Sequence, residues 1–228
     1  MLTRILGPDT ARWVLRWRCP AGPLKNYYKL DTPTLDTPYT KAEFLAVDIE
    51  TTGLDHNSDE ILSIGFVPLI GGRAVLAQAE YYLVRPEGDV CPESAKVHRL
   101  TDDQLAHADP IASILPNFLA ALTGRVGVAH NAAIEKGFLS KACERIWGVR
   151  LEVPFIDTLA VEHRLMTRRN QAITDGLLKL ANCRTRYGLP RLRVHDALSD
   201  ALGCGELLLA QAAHCSGKKP AALRDLME

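Results

Sequence analysis

Apolar residues recur along this chain with two different periods, and each period predicts one kind of element. Short apolar runs between turn residues predict strands at 44–50, 60–70 and 125–130. The stretch after Gly71-Gly72 predicts a hairpin partner for the second strand at 71–86. Apolar positions three and four apart predict helices at 101–108, 109–124, 131–147, 174–188 and 195–214, and residues 154–165 combine a strand with a helix. Early strands followed by alternating helices indicate an α/β fold in which helices cover a sheet.

The composition limits the number of domains and indicates how the protein could bind nucleic acid. With 228 residues, of which 47% are hydrophobic, the chain can bury one sizeable core and is short for a second full domain. Lys+Arg and Asp+Glu both number 27, so the formal net charge is zero. Any affinity for nucleic acid must therefore come from a local patch of the surface.

The cellular compartment can also be predicted from the sequence. No apolar run approaches the roughly 20 residues of a membrane span. The N-terminal stretch is broken at Gly7-Pro8, carries arginines and lacks the apolar centre of a signal peptide. The six cysteines have neither C-x-x-C nor zinc-finger spacing, which is typical of reduced thiols. We therefore expect a cytoplasmic protein that does not enter a membrane.

Residues 1–40 differ from the rest of the chain. They carry six basic residues against three acidic ones, and Trp13 and Trp17 lie four apart on one face of a predicted short helix. The prolines of "DTPTLDTPYT" indicate an extended linker. This segment is either an arm packed on the domain or a basic arm that binds nucleic acid or a protein. We assign the main domain to residues 41–215 and a short C-terminal tail to 216–228.

The stretch "FLAVDIETTGLD" at 44–55 places two carboxylates at the end of a strand. Side chains two apart on a strand share a face, so Asp48 and Glu50 project together. The turn at Gly53 puts them at the carboxyl end of the strand, where α/β proteins bind ligands. Two charges ~4 Å apart repel by about 4 kcal/mol at an effective dielectric constant of ~20. A hard cation such as Mg²⁺ or Mn²⁺ would offset this, although such a pair alone is more often a solvated turn.

Two later segments carry further candidates. In "HNAAIEKGFL", His130 and Asn131 end a strand and open a helix whose first turns contain Glu135. Early acids in a helix commonly do no more than complement its dipole. In "HDALSDA", His195 precedes a helix that contains Asp200, and a surface acid is the alternative interpretation there.

Taken in this order, the three segments resemble the motifs of the DEDDh 3′–5′ exonucleases. This DnaQ-like group includes RNase T, oligoribonuclease and the proofreading subunit of bacterial replicative polymerase. The resemblance covers about residues 43–213 and includes the lesser stretches "VHRLTDDQL" and "FIDTLAVEHRL". It implies an α/β, ribonuclease H-like exonuclease fold with a five-stranded mixed sheet flanked by helices. It also implies a metal-dependent enzyme that releases nucleoside 5′-monophosphates from the 3′ ends of single strands, with DNA favoured.

The resemblance implies a role for each matched residue. Four carboxylates would hold two divalent metal ions, Mg²⁺ or Mn²⁺: Asp48, Glu50, Glu135 and Asp200. His195 would be the general base that activates the attacking water, which suits a side chain whose pKa is near 6.5. Five residues would hold the 3′-terminal nucleotide: Thr51, Thr52, Leu54, His98 and Asn131. Leu54 would wedge against the last base.

The chain departs from the family pattern at Glu135, where the family usually has Asp, and at Ile134, where an aromatic residue is frequent. Glu is one methylene longer than Asp, and three interpretations of Glu135 are open. It is a working metal ligand, it makes the enzyme slow or selective for one metal, or the site is not catalytic. Two alternative functions remain open. One is an RNA 3′-end nuclease resembling oligoribonuclease or RNase T, and the other is a catalytically weak nucleic-acid-binding module.

Residues 164–193 are the most basic part of the chain. Eight basic residues stand against Asp175 alone, a local charge of +7. Neutralisation of phosphates would make affinity fall strongly with salt, whereas a solvated surface would not. We expect the 3′ end of a single strand as the main partner. A proofreading role would need a separate polymerase or other protein partner, and the oligomeric state, with a homodimer as one alternative, is left open.

Overall fold

A mixed sheet forms the centre of the protein. The computed structural model describes residues 8–88, 100–192 and 196–227. The strands are β1 Phe44–Thr51, β2 Ile61–Ile70, β3 Arg73–Ala74, β4 Glu80–Arg85, β5 Asp109–Pro110, β6 Val126–Ala129 and β7 Phe155–Asp157. Their spatial order is β5-β4-β2-β1-β6-β7, with β3 paired to the free end of β2. Strand β1 is antiparallel to β2 and parallel to β6, which confirms the predicted mixed α/β architecture.

The expected count of five strands is wrong, because the sheet has seven strands within the described residues. Strands β3 and β5 have two residues each, which is too short to leave a period-two pattern in the sequence. The predicted hairpin partner at 71–86 is in fact divided into β3, a 3₁₀ helix at Leu76–Gln78, and β4. The five longer strands, β4-β2-β1-β6-β7, are contiguous and form the body of the sheet.

The helices flank this sheet. They are α1 Pro8–Arg18, α2 Pro23–Tyr27, α3 Asp102–Ala106, α4 Ile111–Leu122, α5 Ala133–Trp147, α6 Thr158–Arg168, α7 Leu180–Arg186, α8 Ala197–Cys215 and α9 Leu223–Met227. Helix α7 is shorter than the predicted 174–188, since residues 175–179 form a turn and a bend and residues 187–188 form a turn. Of the helices in the three described segments, none is both long and apolar enough to span a bilayer.

The two faces of β1 belong to two separate apolar cores. Leu45, Val47 and Ile49 pack on one side with α4, α5 and the N-terminal arm. Phe44 and Ala46 pack on the other side with α8 and α9. This alternation follows from the period of a strand, and it assigns the even-numbered side chains of β1 to the face covered by α8.

The N-terminal arm is fastened to the first core. Arg12 is buried, lies over the rings of Tyr27 and Tyr28 at 4.8 and 5.3 Å from their centroids, and donates to the main-chain oxygen of Leu30 at 2.6 Å. The Tyr28 hydroxyl accepts from the main-chain nitrogen of Glu152 at 2.8 Å. Helices α1 and α2 are therefore a packed layer of the fold.

The C-terminal residues also pack on the domain. A β-bridge joins Pro38 to Ala222, so the linker and the segment before α9 run side by side. Leu223 and Leu226 are buried in the second core. The described cysteines, Cys19, Cys143, Cys183, Cys204 and Cys215, carry free thiols.

Candidate catalytic site

Three carboxylates meet at the carboxyl end of β1. Asp48 and Glu50 lie on the face of β1 that α8 covers, and Asp200 lies in the first turn of α8. One ligand oxygen from each of the three lies within 4.8 Å of the others. The strand period and the helix position thus bring together residues 150 positions apart in the chain.

A glycine in β2 allows the start of α8, and with it Asp200, to come close to Asp48 and Glu50. Gly65 is the register partner of Asp48 on the neighbouring strand. A Cβ there would lie 2.3 Å from the backbone nitrogen of Leu198 and 2.4 Å from the carbonyl carbon of Ala197. The start of α8 therefore rests directly on the sheet at Gly65 and carries Asp200 toward Asp48. We did not predict this role, although a glycine inside an apolar strand signals a close backbone approach.

Glu135 joins the cluster from the opposite layer. It lies in the first turn of α5, is 4% exposed, and its Oε2 atom has no hydrogen-bond partner among the described residues. It stands outside the 4.8 Å triple formed by the other three acids. Its charge nevertheless contributes to the raised pKa of Asp48, so it faces the same site.

The connection before α5 sets the position of Glu135. Asn131 adopts a left-handed backbone conformation, with φ of 75°. Its main-chain nitrogen donates to Asp157 Oδ1 at 2.9 Å, and the same oxygen accepts from the nitrogen of Leu159 at the start of α6. Asp157 is therefore a helix cap that also anchors the motif containing Glu135, a role that we did not predict.

The carboxylates resist ionisation. Burial, followed by the charges of Glu135, Asp200 and Glu50, raises the pKa of Asp48 well above its ordinary range. Burial together with the charge of Asp200 raises the pKa of Glu50 to about 7. Burial is also the main cause that raises the pKa of Glu135 to about 8. Without a counter-charge, these acids are not all ionised at neutral pH.

This donor set fits divalent metal ions. The donors are carboxylate oxygens, which Mg²⁺ and Mn²⁺ prefer. Buried like charges and an unsatisfied Oε2 on Glu135 are costly unless a cation compensates them. The four residues that would hold the ions are Asp48, Glu50, Glu135 and Asp200.

The turn after β1 is closed by hydrogen bonds within it and to the residue before β2. The Thr51 hydroxyl donates to the oxygen of Gly53 at 2.6 Å, and the Thr52 hydroxyl accepts from the nitrogen of Glu60 at 2.9 Å. Asp59 accepts from the nitrogen of Asp55 at 2.8 Å. Leu54 projects from this turn with 78% of its surface exposed. The turn thus presents an apolar side chain to solvent beside the carboxylates.

Of the other predicted site residues, the structure places Asn131 but does not describe His98 and His195. Asn131 lies at the rim of the site and is exposed. His98 and His195 lie outside the described residues, so their predicted roles stay predictions. His130 was not assigned a role, yet it is half-buried and its two ring nitrogens form hydrogen bonds with the Thr158 hydroxyl and the Leu178 oxygen.

The basic segment at 164–193 is partly internal. Arg184 is buried, donates to the oxygen of Gly203 at 2.7 Å and pairs with Glu206 at 2.8 Å. Arg186 pairs at 2.9 Å with Glu162, a buried carboxylate. These two cations form ion pairs that stabilise the packing of α7. The salt dependence expected from the basic segment stays a prediction.

Comparison with known proteins shows which proteins this chain is similar to. The family model RNase_T, described as Exonuclease, matches residues 45–208. DNA polymerase III PolC-type of Thermotoga maritima is 34% identical over 175 residues, which are 76% of this chain and 12% of that protein. DNA polymerase III subunit epsilon of Treponema pallidum is 31% identical over 175 residues, which are 75% of this chain and 77% of that protein.

A solved structure shares the fold. Exonuclease X in complex with 5′ overhanging duplex DNA matches with a TM-score of 0.61 and 24% identity, covering 81% of this chain and 99% of that chain. The chain spans only 12% of the length of the PolC-type relative. Residues 1–44, which include α1 and α2, precede the family match.

Proposed function

The chain belongs to the DEDDh, or DnaQ-like, family of exonucleases, and from that premise we propose that it is a metal-dependent 3′–5′ exonuclease. Its substrate is the 3′ end of a single-stranded nucleic acid, and its products are nucleoside 5′-monophosphates. The observation that carries the proposal is the approach of Asp48, Glu50 and Asp200 to within 4.8 Å. Such a cluster at a strand end is suited to hold the cations that a phosphodiester hydrolysis needs.

The residues of the chain have distinct tasks in this proposal. Asp48, Glu50 and Asp200 would hold two divalent ions, with Glu135 as the fourth carboxylate. When bound, the ions would lower the pKa of the attacking water and stabilise the charge on the attacking and leaving oxygens. His195 accepts the proton of the water. Leu54, which is largely exposed, packs against the last base.

Three further parts of the proposal rest on the relatives. DNA is the favoured substrate because the relatives are named as DNA polymerase III proteins and Exonuclease X is titled as a complex with DNA. A polymerase is the proposed protein partner for the same reason. The proposed location is the cytoplasm, where bacterial replication proteins act. An RNA 3′-end nuclease remains the alternative that an experiment must separate.

The test uses purified protein with Mg²⁺ or Mn²⁺ and single strands of DNA or RNA labelled at either the 3′ or the 5′ end. We expect stepwise shortening from the 3′ end, loss of activity in EDTA, and loss in Asp48→Ala. Asp103→Ala is the matched control, because the side chain of Asp103 is 90% exposed in α3.

Two results would contradict the proposal. One is shortening from the 5′ end, and the other is activity in Asp48→Ala equal to that of Asp103→Ala. Faster digestion of RNA than of DNA would support the exonuclease activity and would show that RNA, not DNA, is the preferred substrate. Absence of cleavage by folded, metal-loaded protein would favour the nucleic-acid-binding module.

A further inference from the structure

The outer face of helix α1 carries two exposed tryptophans. The inner face of this helix is buried on the domain through Ala11 and Leu15. Trp13 and Trp17 lie four positions apart on the opposite side, are 62% and 70% exposed, and have ring centroids 6.1 Å apart. Two large aromatic side chains side by side on an exposed helix face indicate a contact surface for another molecule.

The charge of this face is positive. Arg16 lies three positions after Trp13 on the same stripe of the helix, Arg18 follows in the last turn, and both are exposed. Neither arginine forms an ion pair with a described side chain. The sequence of α1 contains three arginines and one acid, Asp9. We name the surface formed by Trp13, Arg16, Trp17 and Arg18 the indole face.

The size of the indole face decides what can occupy it. An aromatic side chain buries about 150–250 Å², so two tryptophans with these exposed fractions offer roughly 300 Å². A stable protein–protein interface needs about 800 Å² on each partner. Two indoles suffice, however, for two stacked bases, with arginines beside them for the phosphates. A single strand of DNA therefore fits both the size and the charge of this face.

Helix α5 links the layer of α1 to the carboxylates. It begins at the site, with Glu135 in its first turn, and its 15 residues span roughly 22 Å. The arm packs beyond its other end, where the Tyr28 hydroxyl accepts from the nitrogen of Glu152 at 2.8 Å and donates to the oxygen of Arg150 at 3.1 Å. A strand with its 3′ end at the carboxylates reaches the arm after about six stacked nucleotides, at ~3.4 Å each.

The surface of α5 between these two ends is more basic than acidic. It carries Lys136, Lys141 and Arg145, and Glu144 is its one acid besides that of the site. Lys141 pairs with Glu144, and Arg145 pairs with Glu87. Lys136 is exposed and has no ion pair with a described side chain. A phosphate backbone can therefore follow this helix without meeting an excess of negative charge.

We propose that the indole face is a second binding site for the substrate strand. It holds the 5′ part of a long single strand of DNA while the 3′ end lies at the carboxylates. Bases stack on Trp13 and Trp17, and phosphates contact Arg16 and Arg18. The inference rests on the proposed exonuclease function and extends it to residues that precede the family match. Long strands should therefore bind more tightly than strands that end before α1.

The test compares a thirty-nucleotide strand of oligo(dT) with the trinucleotide, which is too short to reach α1. Fluorescence anisotropy in EDTA measures Kd for the long strand, and the release of nucleotides in Mg²⁺ measures KM for both. We expect Trp13→Ala and Trp17→Ala each to raise Kd and KM for the long strand about tenfold, as the loss of one stacked base implies. The KM for the trinucleotide should stay the same.

Further variants separate stacking from other roles. Trp17→Phe keeps an aromatic ring and should retain most of the affinity for the long strand, whereas Trp17→Leu should lose as much as Trp17→Ala. Replacing Arg16 and Arg18 together by Ala should reduce the slope of log Kd against log salt by about 1.4, at ~0.7 for each phosphate contact. Leu76→Ala is the matched control, because Leu76 is 62% exposed outside the arm and should change none of these quantities.

The outcomes separate the two proposals. If the wild type shortens both strands but Trp13→Ala and Trp17→Ala bind the long strand as Leu76→Ala does, the exonuclease stands and the second site is wrong. Equal losses for the long strand and the trinucleotide would also contradict the second site. Full affinity in Trp17→Leu would make the indole face an apolar surface for a protein partner. If the folded, metal-loaded wild type neither binds nor shortens the long strand, both proposals fall.

Discussion

At the scale of single residues, Glu135 is one of the two positions, with Ile134, at which the motifs of this chain differ from the family pattern that they resemble. Its side chain is buried, one of its oxygens lacks a described partner, and it stands outside the triple formed by the other acids. Glu135 is thus placed to act as a fourth ligand without joining the tightest group.

The raised pKa values predict how the metal-free protein depends on pH. Glu50 and Glu135 titrate at about 7 and about 8 in the folded protein, against ordinary values of 4.5. A raised folded-state pKa means that folding favours the protonated form, so the stabilisation is complete below about pH 4.5 and is lost as the pH rises through 7 and 8. In EDTA, the free energy of unfolding should therefore fall between about pH 5 and pH 8.5.

The variant Glu135→Gln isolates this effect, because the amide keeps the shape of the protonated acid without its charge. At pH 8.5 in EDTA it should be more stable than the wild type by a few kcal/mol, and at pH 5 the two should be similar. It should also lose most of its stabilisation by Mn²⁺. Denaturant titrations at both pH values, with and without metal, measure these differences. Equal stability of the two proteins at pH 8.5 would show that Glu135 is ionised at little cost.

At the scale of elements, the approach of α8 to β2 decides whether the site can form. Gly65→Ala should push the start of α8 off the sheet, since the added Cβ would meet backbone atoms of Ala197 and Leu198. We expect a loss of about 1–3 kcal/mol in stability. Activity should fall by at least an order of magnitude, because Asp200 moves with the helix.

Gly217→Ala is the control for that substitution, because a Cβ at Gly217 meets no atom within 4 Å and its φ is not positive. Thermal denaturation and hydrolysis of a labelled single strand measure both quantities. If Gly65→Ala keeps wild-type activity, the position of Asp200 does not depend on this contact.

The sequence predicts the elements that carry strong periodic patterns and misses those that depend on distant contacts. Strand β1 and helices α5 and α8 follow directly from their apolar periods. The grouping of Asp200 with Asp48 and Glu50 is implied by the resemblance of the motifs and not by these periods. The division of residues 71–86 could not be predicted, because β3 is set by its pairing with β2. The inward pairing of Arg184 and Arg186 is also a tertiary effect, since a count of charges does not show which cations are buried.

At the scale of the whole molecule, the arm adds a layer that the family match does not include. Arg12 fastens it through two tyrosine rings and main-chain oxygens. Arg12→Ala should therefore destabilise the protein by about 2–4 kcal/mol, through lost cation–π contacts and buried oxygens left without donors. Chemical denaturation measures the change.

Arg16→Ala serves as the matched variant, because Arg16 belongs to the same helix, α1, and is exposed. It should differ from the wild type by less than about 0.5 kcal/mol. If Arg12→Ala is as stable as Arg16→Ala, the arm is held by its apolar contacts alone, such as those of Leu15 and Leu24.

The two indoles on α1 give this layer an optical signature. Trp13 and Trp17 are 62% and 70% exposed, their centroids are 6.1 Å apart, and their planes are inclined by 62°. Transition dipoles this close and this inclined couple excitonically, so the pair adds an aromatic couplet to the far-ultraviolet circular dichroism. Helix content read directly from that spectrum is therefore biased. The couplet is also a built-in reporter of α1, since its disappearance on heating records the melting of the arm separately from that of the sheet.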